Sequence, residues 1–315
     1  HADNPVAFGF QAAGNRIVSV DAREIGSGAI HRFRAPIFID CTGDAWLGYW
    51  AGAGYRIGRE SKTEFNEGWK IYGDLWSPKQ PDRRVMGASL LWYSRHSESK
   101  TEFPPVPWAE PVAKDYAVTA GEWEWEYSDN DLDQIQDAET IRDHLLRAVY
   151  GTFANVRKLP ENAELELAWV GYVCGKRESR RLMGDYIYTL DDILTYRRFP
   201  DTVVTERRDV DHHYQRKLVG SKYDFLSTAM FKNTGGDYYI PFRCLYSKNI
   251  VNLMMAGRCF SCSHIGLGGP RVMKPCGQMG IATGMAAAVC KKHGALPRDV
   301  YEQHLNELLA LTGYA

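Results

Sequence analysis

Ile37-Phe38-Ile39-Asp40-Cys41-Thr42-Gly43-Asp44 is an apolar run that stops at a glycine turn, and its reading decides the fold class. The three apolar residues have the character of a strand buried on both faces, as in parallel sheets. Asp44 is placed to cap a short helix over 45–51, which Gly52 and Gly54 close. A strand, a tight turn and a helix start together leave backbone N–H groups pointing outward, which suits an anion or a cofactor. A purely structural reading, in which Asp44 caps and Gly43 turns the chain, fits the same residues. Upstream, residues 6–10, 17–22 and 30–34 alternate apolar and polar around Ala13-Gly14-Asn15 and Gly26-Ser27-Gly28. That spacing predicts a three-strand meander leading into the buried strand.

The last quarter repeats the pattern. Residues 249–256 are apolar and end at Gly257-Arg258; Gly266-Leu267-Gly268-Gly269, Arg271 and a helix from about Gly277 to Lys292 follow. Gly280, Ala282, Thr283, Gly284, Ala286, Ala287 and Ala288 make that helix unusually small-sided. A glycine costs about 1 kcal/mol inside a helix, so close packing or a ligand is the expected reason. The helix start carries about half a positive charge and Arg271 adds another, which suits a phosphate or an anionic ring; an Ala-rich core helix is the plain alternative. Cys259 and Cys262 form a CxxC with His264 beside it, but Cys276 and Cys290 stand alone. No zinc spacing follows, so we expect ordinary buried thiols and no metal site.

The 315 residues carry 38 Lys+Arg against 39 Asp+Glu, a net charge of −1, with 44% hydrophobic and 24% charged residues. This describes one large or two ordinary globular domains and leaves no basic footprint for nucleic acid. No apolar stretch approaches the ~18–20 residues of a membrane span. Seven cysteines are an odd number, which argues against a disulfide framework. Nothing at the start reads as a signal peptide, but His1 stands where a Met is expected, so the compartment stays open.

In the middle, Ile135, Ile141, Leu145, Val149, Phe153 and Val156 recur at helical spacing and predict a helix over 131–157. Residues 164–173 alternate as a strand and lead into Lys176-Arg177-Glu178-Ser179-Arg180-Arg181, which by itself reads as a solvated charge run. Trp69, Trp76, Trp92, Trp108, Trp123 and Trp125 suit sugar stacking, although most such residues anchor cores and loops. The adjacent His212 and His213 would point to opposite faces of a strand, and we expect them at the surface.

Taken in order, these segments resemble one family. Residues 39–44 are similar to the second flavin-binding segment of the glutathione-reductase-like flavoproteins. With Gly58-Arg59-Glu60, residues 175–186, Ile240-Pro241-Phe242-Arg243, Arg258, Arg271-Val272-Met273 and 280–288, the chain resembles the FAD_oxidored type of bacterial FAD-dependent oxidoreductases. The resemblance implies an α/β chain, α+β in its cap. A Rossmann-like FAD-binding domain (1–60 plus 241–315) would flank a substrate or cap domain (61–240). It implies FAD contacts at Thr42, Gly43, Asp44, Gly257, Arg258, Arg271 and Gly280. A substrate would meet Arg177 and Arg180, and the proton acceptor would be His264 or, second, Glu178, with Arg177 assisting. The resemblance implies a small organic substrate, the Trp-rich middle suits a carbohydrate-like one, and neither specifies the electron acceptor.

The family begins with a strand, a GxGxxG turn and a helix, about 30 residues that precede such a meander. Gly9, Gly14, Gly26 and Gly28 do not have that spacing, so we expect the unit either upstream of His1 or lost. A glycan-binding protein that keeps the fold without the cofactor is the alternative function. A polysaccharide lyase has only the aromatic residues in its favour.

Overall fold

The computed structural model describes residues 5–119 and 122–315; His1 lies outside them. The chain forms two compact units, one made of residues up to 82, 179–210 and 232–315, the other of 83–178 and 211–231. The division differs from the expected 61–240 insertion. Residues 61–82 fold with the first unit because Asp82 returns to Arg59, through backbone pairing and a bidentate ion pair. Residues 202–206 and 238–241 likewise stay there, since strands Thr202–Glu206 and Tyr238–Pro241 pair with each other.

In the first unit, strands Pro5–Ala13, Arg16–Glu24 and Ile30–Arg34 form the expected antiparallel meander. Gly14, at φ +60°, supplies the first turn in a region that side chains disfavour. Phe38–Asp40 then pairs in parallel with Leu253–Met255. Ile17, Phe38, Leu47, Leu182, Leu253 and Met255 form the core around this pair. Asn252 ties it to the meander: its side chain accepts from Ile17 N–H at 2.9 Å and donates to the Ile17 and Pro36 carbonyls at 2.9 and 3.0 Å. The pair is a two-stranded sheet, so the outer edge of Phe38–Asp40 meets no strand among the described residues.

The long helix is Met273–His293, one turn longer at its start than the sequence suggests. Pro275 falls in its first turn, where a missing N–H costs nothing. Its inner face buries Met279, Ala282, Thr283, Ala286 and Val289. Its outer face is apolar too: Met273 is 92% and Ile281 59% exposed. Gly277, Gly280 and Gly284 have open space where a side chain would stand.

In the second unit, helix Ala138–Arg157 packs Ile141, Leu145, Val149 and Phe153 onto Trp92, Trp125, Phe225 and Leu226. It starts later than expected because Asp133 takes the Ile135 and Gln136 N–H groups into a side-chain-capped turn, at 2.8 and 3.0 Å. Strand Leu165–Val170 pairs antiparallel with Trp92–His96. Trp76, in the first unit, and Trp92 and Trp125, in the second, are fully buried, so they are core rather than binding surface.

Asn252→Ala strands the buried Ile17 N–H and carbonyl, each worth about 1–3 kcal/mol, while the exposed Pro36 carbonyl keeps Arg16 at 3.3 Å. We expect a loss of about 2 kcal/mol or more in urea unfolding followed by circular dichroism; a loss under about 1 kcal/mol would mean that water replaces the amide.

Candidate functional site

The buried Asp40 carboxylate ends the parallel strand and shapes everything after it. Oδ1 accepts the Thr42 N–H at 2.9 Å and its hydroxyl at 2.8 Å, while Oδ2 accepts the Gly48 N–H at 2.9 Å. Thr42 Oγ1 in turn accepts the Trp46 N–H at 2.9 Å. Helix Trp46–Trp50 is therefore held by Asp40 and Thr42 and not capped by Asp44, as the sequence suggested. Ala45, at φ +57°, turns the chain so that Asp44 faces elsewhere.

Asp44 accepts the Ser179 hydroxyl at 2.7 Å and lies 3.6 Å from Arg258 Nη2. The Arg258 guanidinium lies flat against Gly43, where a Cβ would sit 2.5 Å from Nη2. Gly43 is at φ +77° and Gly257, which starts the turn carrying Arg258, at +91°. Arg258 Nη1 is buried and has no hydrogen-bond partner among the described residues. Thr42, Gly43, Asp44, Gly257 and Arg258 are thus brought together at the carboxyl ends of two parallel strands.

Residues 261–270 are all buried, so the Gly-rich stretch is a packed turn rather than an open phosphate loop. A side chain at Gly266 would meet the Tyr188 carbonyl at 2.4 Å, and one at Gly269 the Tyr238 hydroxyl at 2.3 Å. His264 is fully enclosed here, its N–H donating to Glu60 Oε2 at 2.8 Å. Burial, with the positive charge of Arg181 next, pushes its pKa down to about 3, so it stays neutral at ordinary pH. Past Arg271 the helix begins at Met273 with no side-chain cap and no acidic residue in its first turn. Gly280 lies about 10 Å further along at 1.5 Å per residue, so it is not part of that helix start.

The charge run at 176–181 is not solvated. In the first unit, Arg180 donates to the Asp44 carbonyl at 3.2 Å and lies 3.8 Å from the Tyr49 ring centre and 4.8 Å from that of Trp46. Arg181 reaches Glu60 Oε1 and the Cys262 carbonyl, both at 2.9 Å. In the second unit, Glu178 accepts the Met86 N–H at 2.9 Å. Arg177 sits 3.1 Å from Glu126 and donates to Ser89 at 2.7 Å. These residues are engaged within the fold, and Glu178 and His264 are both buried.

His212 and His213 are buried, against expectation. Both ring nitrogens of His213 meet carboxylates, Nδ1 at 2.9 Å from Glu126 and Nε2 at 3.2 Å from Asp211. Sequence reasoning missed this array because Glu126 lies 87 residues from His213. The alternation of polar residues on the strand Val210–Gln215 was the one available signal. The two thiols of the CxxC, Cys259 and Cys262, are free and buried, with Sγ against backbone carbonyls.

Glycine turns at the ends of two parallel strands, an arginine beside them and an uncapped helix start lie in a fold of mixed helices and strands, and features of this kind suit an anion. The chain belongs to the FAD dependent oxidoreductase family, whose sequence model matches residues 4–309. FAD is therefore its cofactor, and a Rossmann-like FAD-binding fold is that of its family. Comparison with curated proteins and with solved structures finds no match.

Two predictions follow the geometry. Gly43→Ala loses about 1–2 kcal/mol through backbone strain, more if Arg258 is displaced; a melting curve matching the wild type would refute the contact. For His213, burial lowers the pKa but the Asp211 and Glu126 hydrogen bonds outweigh it, and the net shift is upward from 6.5. The stabilisation is present below the ordinary histidine pKa and is lost as pH rises through the folded value. His213→Gln should remove that alkaline loss from thermal melts; an unchanged pH profile would assign it to another group.

Proposed function

We propose that this FAD-dependent oxidoreductase moves a hydride between an organic, carbohydrate-like substrate and its flavin. Its cofactor would lie along Thr42, Gly43, Asp44, Gly257, Arg258 and Arg271. The observation that carries the reading is the buried Nη1 of Arg258 beside the Gly43 turn, which has no hydrogen-bond partner among the described residues. That donor fits an anionic oxygen of a diphosphate, and the missing side chain at Gly43 leaves room for the guanidinium. The uncapped start of helix Met273–His293 and Arg271 next to it would stabilise negative charge at the ring end. When bound, FAD supplies the two-electron chemistry. The protein holds the cofactor and sets its electrostatics.

The uncovered edge of Phe38–Asp40 and the apolar outer face of the long helix support a further strand–turn–helix unit lying against both. The stacked and exposed Tyr93 and Trp169, 5.9 Å apart in the second unit, support a sugar-like substrate. Arg177 and Arg180 would act through the fold they brace rather than by direct contact.

Reconstitution tests the reading. The full-length protein should bind FAD and show oxidised-flavin absorbance. Arg258→Ala should weaken binding about tenfold or more, the value of a charged hydrogen bond. Wild-type affinity in that variant would remove Arg258 from the site, and a protein that takes up no flavin would overturn the reading.

A further inference from the structure

Glu60 and Glu67 come from one segment of the first unit and grip consecutive residues of the buried turn ahead of the long helix. Glu60 Oε2 accepts the His264 N–H at 2.8 Å. Glu67 Oε1 accepts the Ser263 hydroxyl and the Leu190 N–H, both at 2.6 Å. Ser263 Oγ also accepts the Gly266 N–H at 2.9 Å, so the hold extends across 263–266.

The two carboxyls differ in counter-charge. Glu60 meets the buried Arg181 guanidinium at 2.9 Å. Glu67 is 4% exposed and takes hydrogen bonds from neutral donors only. The charged groups acting on it are Glu60, which opposes ionisation, and Arg181, which favours it. A carboxyl removed from water without a cation of its own is favoured in its neutral form.

We propose that Glu67 is a positioning residue of the cofactor site that works as a neutral carboxylic acid, holding the 263–266 turn, and that its ionisation disturbs the packing around that turn by leaving a charge in the interior without a cation against it. The proposal rests on the reading that the helix start after this turn faces the flavin. Burial, outweighing the hydrogen bonds from Ser263 and Leu190, raises the Glu67 pKa to about 8. The folded state thus holds a proton that the unfolded chain gives up near the ordinary 4.5. Stability contributed by this group falls as pH rises between those values and levels off above the upper one.

Two measurements on the full chain test it, with Glu67→Gln keeping both acceptor contacts without the titration. In thermal melts of the flavin-free protein, the wild type should lose stability across that window and Glu67→Gln should lack that loss. Ser263→Ala removes a donor that favours ionisation and should move the upper limit to higher pH. An unchanged slope in Glu67→Gln would overturn the neutral acid. In FAD titrations at about pH 6.5 and about pH 9, wild-type affinity should weaken several-fold at the higher pH, whereas Glu67→Gln should bind equally at both. Equal weakening in both proteins would overturn the positioning role. If the wild type binds no FAD at either pH, the flavin reading fails and the cofactor role of Glu67 with it; the melts still decide its protonation.

Discussion

The carboxylate of Asp40 is the constraint on which the first unit depends. It sits where an apolar strand must stop, and it satisfies the Thr42 and Gly48 N–H groups that the turn and the short helix would leave bare. Its own carbonyl accepts the Ala256 N–H at 3.1 Å, joining the second strand where Gly257 begins the next turn. One residue, through its carboxylate and its backbone carbonyl, therefore sets both glycine turns side by side. Without it, Gly43 and Arg258 would have no reason to meet. An unpaired carboxylate at that depth would be costly, and its three hydrogen bonds remove the penalty.

The meander, the buried parallel strand and the glycine turn were legible because they are local: alternation, apolar runs and turn residues lie within a few positions of one another. Asp44 was misread because capping depends on a backbone torsion at Ala45 that composition does not encode. The long helix was placed a turn late because glycines and Pro275 obscure its start. For the 176–181 segment, the charges were visible and their burial was not. Glu60 and Glu126, which pair with its arginines, and the Asp44 carbonyl that accepts from Arg180 are remote in sequence. His213 failed for the same reason. Of the candidate residues, Thr42, Gly43, Asp44, Gly257 and Arg258 lie on two neighbouring turns of the first unit, while His264 lies in the packed 261–270 turn and Gly280 two turns into the long helix.

A common theme is that buried charge in this chain organises backbone. Arg181 binds two carbonyls, Glu60 an amide, and Glu67 an amide and a hydroxyl. Such groups are costly to bury singly and stable when every lone pair and proton is used. They also give the packed 261–270 turn a fixed conformation that glycine alone, with its large backbone freedom, would not have.

Lys176, Arg177, Arg180 and Arg181 form the densest run of basic residues in the chain, and it spans the point where the polypeptide passes from one unit to the other. In an unfolded chain this is the natural place for trypsin to cut. In the fold, Arg180 and Arg181 are buried and Arg177 is engaged with Glu126. Two of the four cleavage sites are therefore withdrawn from a protease while the chain stays folded. A nick there reports that the polypeptide has opened, which turns its most vulnerable stretch of sequence into a gauge of integrity.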